Sequence, residues 1–341
     1  MVWFIGILLA VFVLLFLFAC LCMYVSFGKR CEGSPSLKYF TADDFDGLET
    51  ESVEFMSNKG QLLRGYIYTR NEISEPRGLV VFAHGMGGGH LSYTTEINTF
   101  AAAGFKVLAY DNTGTMASQG KKLGSFYQSA RDLHYALKFV QADEKLSKYK
   151  IVLAGHSWGG YAVCQTVAKE NVSGAVVLSA PNTTAKVIGD GAKAMAGFSL
   201  SWLRPFLFLA SIAFGGFAAR NSCAKMLMKT KGVPILLLHG DEDKSAVLEN
   251  SPVYYDKVRD KENITAIVYK GKAHNVYQTR QSEAYLNKRF AAINAAKKKY
   301  GKAGIPEEEK EKLYAIDYEL ITQEDPEVMK TITDFMKDCV K

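Results

Sequence analysis

Histidine is scarce in this 341-residue sequence, with six in all, and its six cysteines follow no pattern. Cys20, Cys22, Cys31, Cys164, Cys223 and Cys339 include no pair at metal-ligand spacing outside the apolar N-terminal run, which argues against a zinc site and a disulfide framework. Cys164, in an apolar helical pattern, reads as an inert buried thiol. There is no G-K-[ST] element, and no G-x-G-x-x-G followed by an acidic residue about 20 positions on, so nucleotide binding is not expected. Large basic blocks are missing too. The formal charge is only +6 and the lysines are mixed with acids almost throughout, so nucleic acid is a poor partner. The chemistry below needs no metal or cofactor, and no obligatory protein partner is evident. The most local absence is of charge: residues 2–27 carry none.

That stretch predicts a membrane anchor. From Val2 to Tyr24 almost every residue is apolar, and about 1.5 Å per residue gives a helix long enough to cross a bilayer. A signal peptide would want a basic start and an apolar core of about 7–15 residues, and no Lys or Arg precedes the run. Lys29, Arg30 and Lys38 all follow it, which places the catalytic part on the cytoplasmic side by the positive-inside rule. Residues 28–50, with Gly33, Ser34 and Pro35, read as a linker.

The rest, 51–341, predicts one large α/β domain. Val53 to Thr69 forms two alternating segments around Asn58, Lys59 and Gly60, a hairpin signal. Strand patterns then alternate with helix patterns: strands at 79–83, 106–110, 151–154, 175–179, 233–238 and 264–269, helices at 94–103 and 127–141. Such alternation predicts a mostly parallel central sheet flanked by helices, with ligands bound outside the strand C-termini. Two segments interrupt it. Residues 183–231 carry Phe198, Leu200, Trp202, Leu203, Phe206, Leu207, Phe208, Leu209, Ile212, Phe214 and Phe217, and are expected to form a helical lid over the site. Residues 283–322 form a second helical insert, whose runs Lys297–Lys299 and Glu307–Glu309 read as solvated helix faces. A closing helix starts at Asp325 and Pro326.

The chemistry gathers around Lys150 to Gly160. The apolar run Ile151–Ala154 leads into Gly155, His156, Ser157, Trp158, Gly159 and Gly160. A G-x-S-x-G turn between strand and helix holds its serine at strained angles, so its neighbours must be small. It also leaves the Trp158 amide at a helix N-terminus, where unpaired N–H groups favour negative charge. At the end of the first core strand stand His84, Gly85, Met86, Gly87, Gly88 and Gly89. A glycine-rich loop there aims backbone N–H groups at a small anion, and Met86 would complete an oxyanion hole with Trp158. His84, Gly85, His90 and His156 lie on these two loops and are expected to bind substrate. A serine nucleophile needs a base. His156 points away from Ser157, His84 and His239 precede glycines at strand ends, and His134 is mid-helix, which leaves His274 in the loop after the last strand. The orienting acid should fall between them, where Asp241, Glu242 and Asp243 cluster. Spacing favours Asp243, with Asp241 as the alternative.

These residues together resemble the α/β-hydrolase superfamily, and within it the lysophospholipase and monoacylglycerol-lipase-like serine hydrolases, over about 50–280 and the closing helix. Four matches carry the resemblance: H-G-x-G-G at His84, G-x-S-x-G at Ser157, H-G-x-x-D from His239 to Asp243 and G-x-x-H at His274, in the order Ser, Asp, His. It implies Ser157 as nucleophile, His274 as general base and acid, Asp243 as its orienter, and Met86 and Trp158 as oxyanion amides. Many relatives have D-x-R-G where this chain has Asp111, Asn112, Thr113 and Gly114. The expected reaction is acyl transfer to water through an acyl-enzyme, on a small-molecule or lipid ester delivered from the bilayer, such as a lysophospholipid or monoacylglycerol. A prolyl-oligopeptidase-like serine peptidase and a non-catalytic tethered binding protein are the alternatives. The chain has no room for the propeller of the first, and intact Ser157, Asp243 and His274 argue against the second.

Overall fold

The computed structural model describes residues 1–197 and 199–341; Phe198 of the apolar insertion lies outside the described residues. The helix α1 (Val2–Phe27) opens the chain and is followed by β1 (Leu48–Met56), β2 (Leu62–Arg70), β3 (Leu79–Ala83), α2 (Thr94–Ala102), β4 (Lys106–Tyr110), α3 (Gln128–Ala142), β5 (Ile151–His156), α4 (Trp158–Thr166) and β6 (Gly174–Leu178). The insertion contributes α5 (Thr184–Ala196), α6 (Arg204–Gly215) and α7 (Cys223–Leu227). Then come β7 (Ile235–Gly240), α8 (Asp256–Arg259), β8 (Ile264–Tyr269), α9 (Arg280–Tyr300), α10 (Glu307–Tyr314), α11 (Tyr318–Ile321) and α12 (Pro326–Cys339).

Eight strands form one sheet in the order β1-β2-β4-β3-β5-β6-β7-β8. The β1–β2 and β2–β4 pairs are antiparallel and the rest parallel. Parallel strands need crossover helices, so both faces are covered and the inner strands are apolar on both sides. Val81, Leu153, Val177 and Leu237 face α3 and α4, while Val80, Phe82, Val152, Val176, Leu236 and Leu238 face α2 and α12. At about 25 cal/mol per Å² of apolar surface, each such fully buried Val, Leu or Phe is worth roughly 1.5–3 kcal/mol before its ordering cost.

The differences from expectation have physical causes. β1 begins at Leu48, before the hairpin signal at Val53, because Glu49, Thr50 and Glu51 lie on an exposed edge strand and give no apolar alternation. The segment after α1 is also no free linker. Lys29 O accepts from Leu123 N, Phe27 O from Gly124 N, and Cys31 bridges to Thr115. In the insertion, Leu203, Leu207 and Ala210 join Ala19, Met23 and Phe27 of α1 in one buried cluster. The basic run closing α9 is exposed as expected, and Glu307–Glu309 occupy the first turn of α10, where the helix dipole favours acids.

Candidate active site

The strand β5 ends and α4 begins at Ser157, which sits at φ 55°, ψ −112°. A left-handed φ on a residue with a side chain is strained. The turn is also tightly packed: a Cβ on Gly159 would lie 1.8 Å from Ala83 O, so α4 is pressed against the end of β3. Ser157 N donates to Leu178 O at 2.8 Å, and the Trp158 indole N–H donates to Phe126 O at 2.6 Å beneath the turn.

Ser157 Oγ lies 2.9 Å from His274 Nε2, and His274 Nδ1 lies 2.7 Å from Asp243 Oδ2. Asp243 stands in the loop after β7. Asp243 Oδ1 accepts from Ser245 N and Ala246 N, both at 2.8 Å. Burial works against the Asp243 charge, but the hydrogen bond from His274 and the fields of His274 and His239 outweigh it and hold the carboxyl below its ordinary range. Asp241, the alternative acid, is elsewhere: its Oδ1 accepts from Gly271 N at 2.6 Å and closes the base of the His274 loop. Neither Met86 N nor Trp158 N has a hydrogen-bond acceptor among the described residues. Two free amides beside a serine–imidazole–carboxylate chain can stabilise an oxyanion and relay a proton.

The three histidines expected to bind substrate are buried, and this is a correction. His84 donates from Nδ1 to Gly85 O at 2.6 Å and accepts at Nε2 from Asn112 N at 2.9 Å. His90 is paired through Nδ1 with Asp111 Oδ1 at 2.8 Å and through Nε2 with Tyr68 at 3.0 Å. His156 bonds Tyr93 Oη at Nδ1 (2.8 Å) and His274 O at Nε2 (3.0 Å). With both ring nitrogens used and no exposed face, these rings brace loops. Burial, reinforced by the nearby His274, pushes His156 down to about 3, so it stays neutral. Gly85 does line the adjoining cavity, although its N–H is spent on Tyr93 Oη at 3.0 Å.

That cavity, of about 450 Å³, lies beside the Met86 loop. Its apolar walls are Leu37 and Phe40 from the segment after α1, Leu91 and Tyr93, and Leu286 and Phe290 from α9. None of its lining residues comes from the insertion that was expected to cap the site. The insertion's inward face is taken up by α1 instead.

A family profile described as serine aminopeptidase, S33, matches residues 74–213, which contain the Met86 loop and the Ser157 turn. The monoacylglycerol lipase of Mycolicibacterium smegmatis is 26% identical over 249 residues, covering 63% of this chain and 87% of that protein. The chain is an α/β-hydrolase of the serine hydrolase class. The quorum-quenching protein AidA of Acinetobacter baumannii is 29% identical over 135 residues, and the match spans 38% of this chain and 43% of that protein. Among solved structures, an esterase of Pyrococcus furiosus has a TM-score of 0.58 at 20% identity, covering 80% of this chain and 98% of its own. Est1E of Butyrivibrio proteoclasticus, with ferulic acid bound, has a TM-score of 0.51 at 18% identity, covering 65% and 91%. At these identities the structural likeness speaks for the fold.

In this α/β-hydrolase the loop that departs from D-x-R-G is braced from outside it. Arg30 donates to Met116 O at 2.7 Å, Ser118 O at 2.9 Å and Gly120 O at 2.6 Å. Asp111 meanwhile accepts from the His90 ring and backbone and from Ala117 N. Arg30, Tyr93 and Lys272, whose ammonium is buried and paired with Asp325 at 2.6 Å, are site-supporting residues that the sequence reading missed. No motif marks them, because Arg30 reaches carbonyls far along the chain, Lys272 pairs with the distant Asp325, and Tyr93 acts on the His156 ring.

Proposed function

We propose that the protein is a membrane-anchored serine hydrolase that cleaves carboxylic esters with long acyl chains, of lysophospholipid or monoacylglycerol type. The observation that carries the reading is the hydrogen-bonded line Ser157–His274–Asp243, with unengaged amides at Met86 and Trp158 and a cavity of mixed polar and apolar walls that Met86 and Asn275 line. Ser157 Oγ attacks the ester carbonyl as His274 Nε2 takes its proton, and the developing oxyanion sits between Met86 N and Trp158 N. His274 then hands that proton to the leaving alcohol. Water, deprotonated by the same imidazole, releases the acid from the acyl-enzyme. Asp243 fixes the Nδ1–H tautomer and stabilises the imidazolium.

Several features support the substrate class. Leu37, Phe40, Leu91, Leu286 and Phe290 offer an acyl chain apolar surface in the cavity that Met86 also lines. The helix α1 is long and apolar enough to cross a membrane, which would hold the site near lipid, with the hydrolase on the cytoplasmic side by the cations that follow it. The monoacylglycerol lipase likeness points the same way. Hydrolysis of p-nitrophenyl esters of increasing chain length tests the reading. A kcat/KM that rises with chain length is expected; preference for the shortest acyl group would defeat it.

A further inference from the structure

The outward face of the 201–217 segment is as apolar as the face it buries. Leu203, Leu207 and Ala210 pack inward against α1 and the core. Trp202, Phe208, Leu209 and Phe217 remain 60%, 42%, 40% and 67% exposed, and Pro205 and Ala213 beside them are exposed as well. From Leu203 to Ala219 the one charged residue is Arg204, which is close enough to Asp190 to act on its charge. At the far end the exposed Arg220 guanidinium lies over the Phe217 ring, 3.4 Å from its centroid, and marks the polar edge of the patch. A helix facing water carries polar residues on its outer side, and a contiguous apolar patch of this kind marks an interaction surface.

Its neighbour indicates what covers it. Phe206 packs on Phe12 with ring centroids 5.2 Å apart, and Phe12 lies near the middle of α1. At the other end of α1, Ala19, Met23 and Phe27 are sealed inside the hydrolase core, where Phe27 meets Phe126. Only one face of these last turns is buried, since Leu21, Tyr24 and Val25 remain 54%, 54% and 72% exposed. The lipid-facing side therefore runs from Val2 to Val25, about 36 Å of helix at ~1.5 Å per residue, enough for a hydrocarbon layer of about 30 Å. A bilayer that covers α1 to its last exposed turn therefore reaches the level of Phe12, and α6 lies at that level.

We propose that Trp202, Phe208 and Leu209 are immersed in the hydrocarbon region of a lipid bilayer beside α1, with Phe217 and Arg220 at its polar edge, so that the hydrolase is seated in the membrane and not tethered above it. This rests on the anchor part of the reading above and is independent of the esterase part. The apolar composition of the insertion is then explained by its solvent. α1 becomes one wall of a two-helix seat, and the backbone bonds of Phe27, Lys29 and Cys31 to the 114–124 loop fix the site's position relative to that seat.

The test uses the full chain carrying Trp3→Phe, floated with phosphatidylcholine vesicles. Trp158 and Trp202 then remain, and Trp158 is fully buried. Subtracting the emission of the Trp3→Phe, Trp202→Phe variant isolates Trp202, and the unchanged Trp158 signal reports that both variants are folded. Phosphatidylcholine brominated on its acyl chains should quench the Trp202 component at least twofold, with aqueous acrylamide quenching it weakly. Protein that floats with the vesicles while Trp202 is quenched by acrylamide and not by bromine would overturn the proposal and leave the anchor standing. Protein that does not float would overturn both. Hydrolysis of soluble esters by the same samples reads the esterase assignment separately.

Discussion

His156 donates its Nε2–H to the backbone carbonyl of His274 at 3.0 Å, so the residue before Ser157 holds the loop that carries the proposed base. The line continues backwards: Tyr93 Oη meets His156 Nδ1 at 2.8 Å and accepts from Gly85 N at 3.0 Å. One buried chain of hydrogen bonds thus ties the Met86 loop, the Ser157 turn and the His274 loop together. His156 is a positioning residue, and it can serve only while neutral, which its depressed pKa of about 3 ensures. Tyr93→Phe removes one link at nearly constant volume. It should lower kcat by roughly 10- to 100-fold with KM little changed, since small misplacements of reacting groups are costly. Steady-state kinetics on one ester check this; a change in KM alone would mean that Tyr93 acts on substrate binding.

The two candidate acids differ in what they hold. Asp243→Asn removes the charge beside His274 and should reduce kcat by on the order of 10³–10⁴-fold. Asp241→Asn leaves an oxygen to accept from Gly271 N and should cost less than about tenfold. Equal losses in the two variants would contradict the assignment.

A buried carboxyl pair sets a pH dependence of stability. Glu96 is buried on α2. Burial, followed by the field of Glu324, pushes its pKa well above the ordinary range. Glu324 accepts from Thr99 Oγ1 at 2.5 Å, and burial pushes it up to about 7. In the fold these groups keep protons that the unfolded chain sheds near 4.5. The associated stability is therefore fully present below about pH 4.5 and, for Glu324, lost as pH rises to about 7. Glu324→Gln has no charge to bury, so its Tm should exceed that of the unsubstituted protein by a few degrees at pH 8, with the gap closing by pH 4.5. Melting curves across that range decide the matter.

The cavity wall should set chain-length preference. Leu286→Trp on α9 fills space beside Phe290 and Leu37. It should lower kcat/KM for long-chain p-nitrophenyl esters by at least tenfold while leaving the acetate within about twofold. A uniform loss across the series would place the acyl chain elsewhere.

Much of this was legible in the sequence, for identifiable reasons. The buried strands β3 to β7 are short apolar runs bounded by turn residues, a signal that needs no partner to be read. Ser157, Asp243 and His274 stand at the ends of such strands, so their convergence follows from the sheet order. The Ser157 turn needs its small neighbours because α4 abuts Ala83 O, which the G-x-S-x-G spacing encodes directly. What stayed hidden depends on distant partners. Nothing local says that Arg30 reaches the carbonyls of Met116, Ser118 and Gly120, or that Phe206 faces Phe12. The histidines His84, His90 and His156 were misread as ligand-facing because a polar residue near a site is equally suited to bracing its loops.

The central claim is that Ser157 is a nucleophile activated by His274. Labelling with a fluorophosphonate probe tests it most directly, since the probe bonds only to an activated serine. The full chain should be labelled once, at Ser157. Ser157→Ala should abolish the labelling, and His274→Ala should slow it by several orders of magnitude. No labelling of the unsubstituted chain, or equal labelling of Ser157→Ala, would contradict the account.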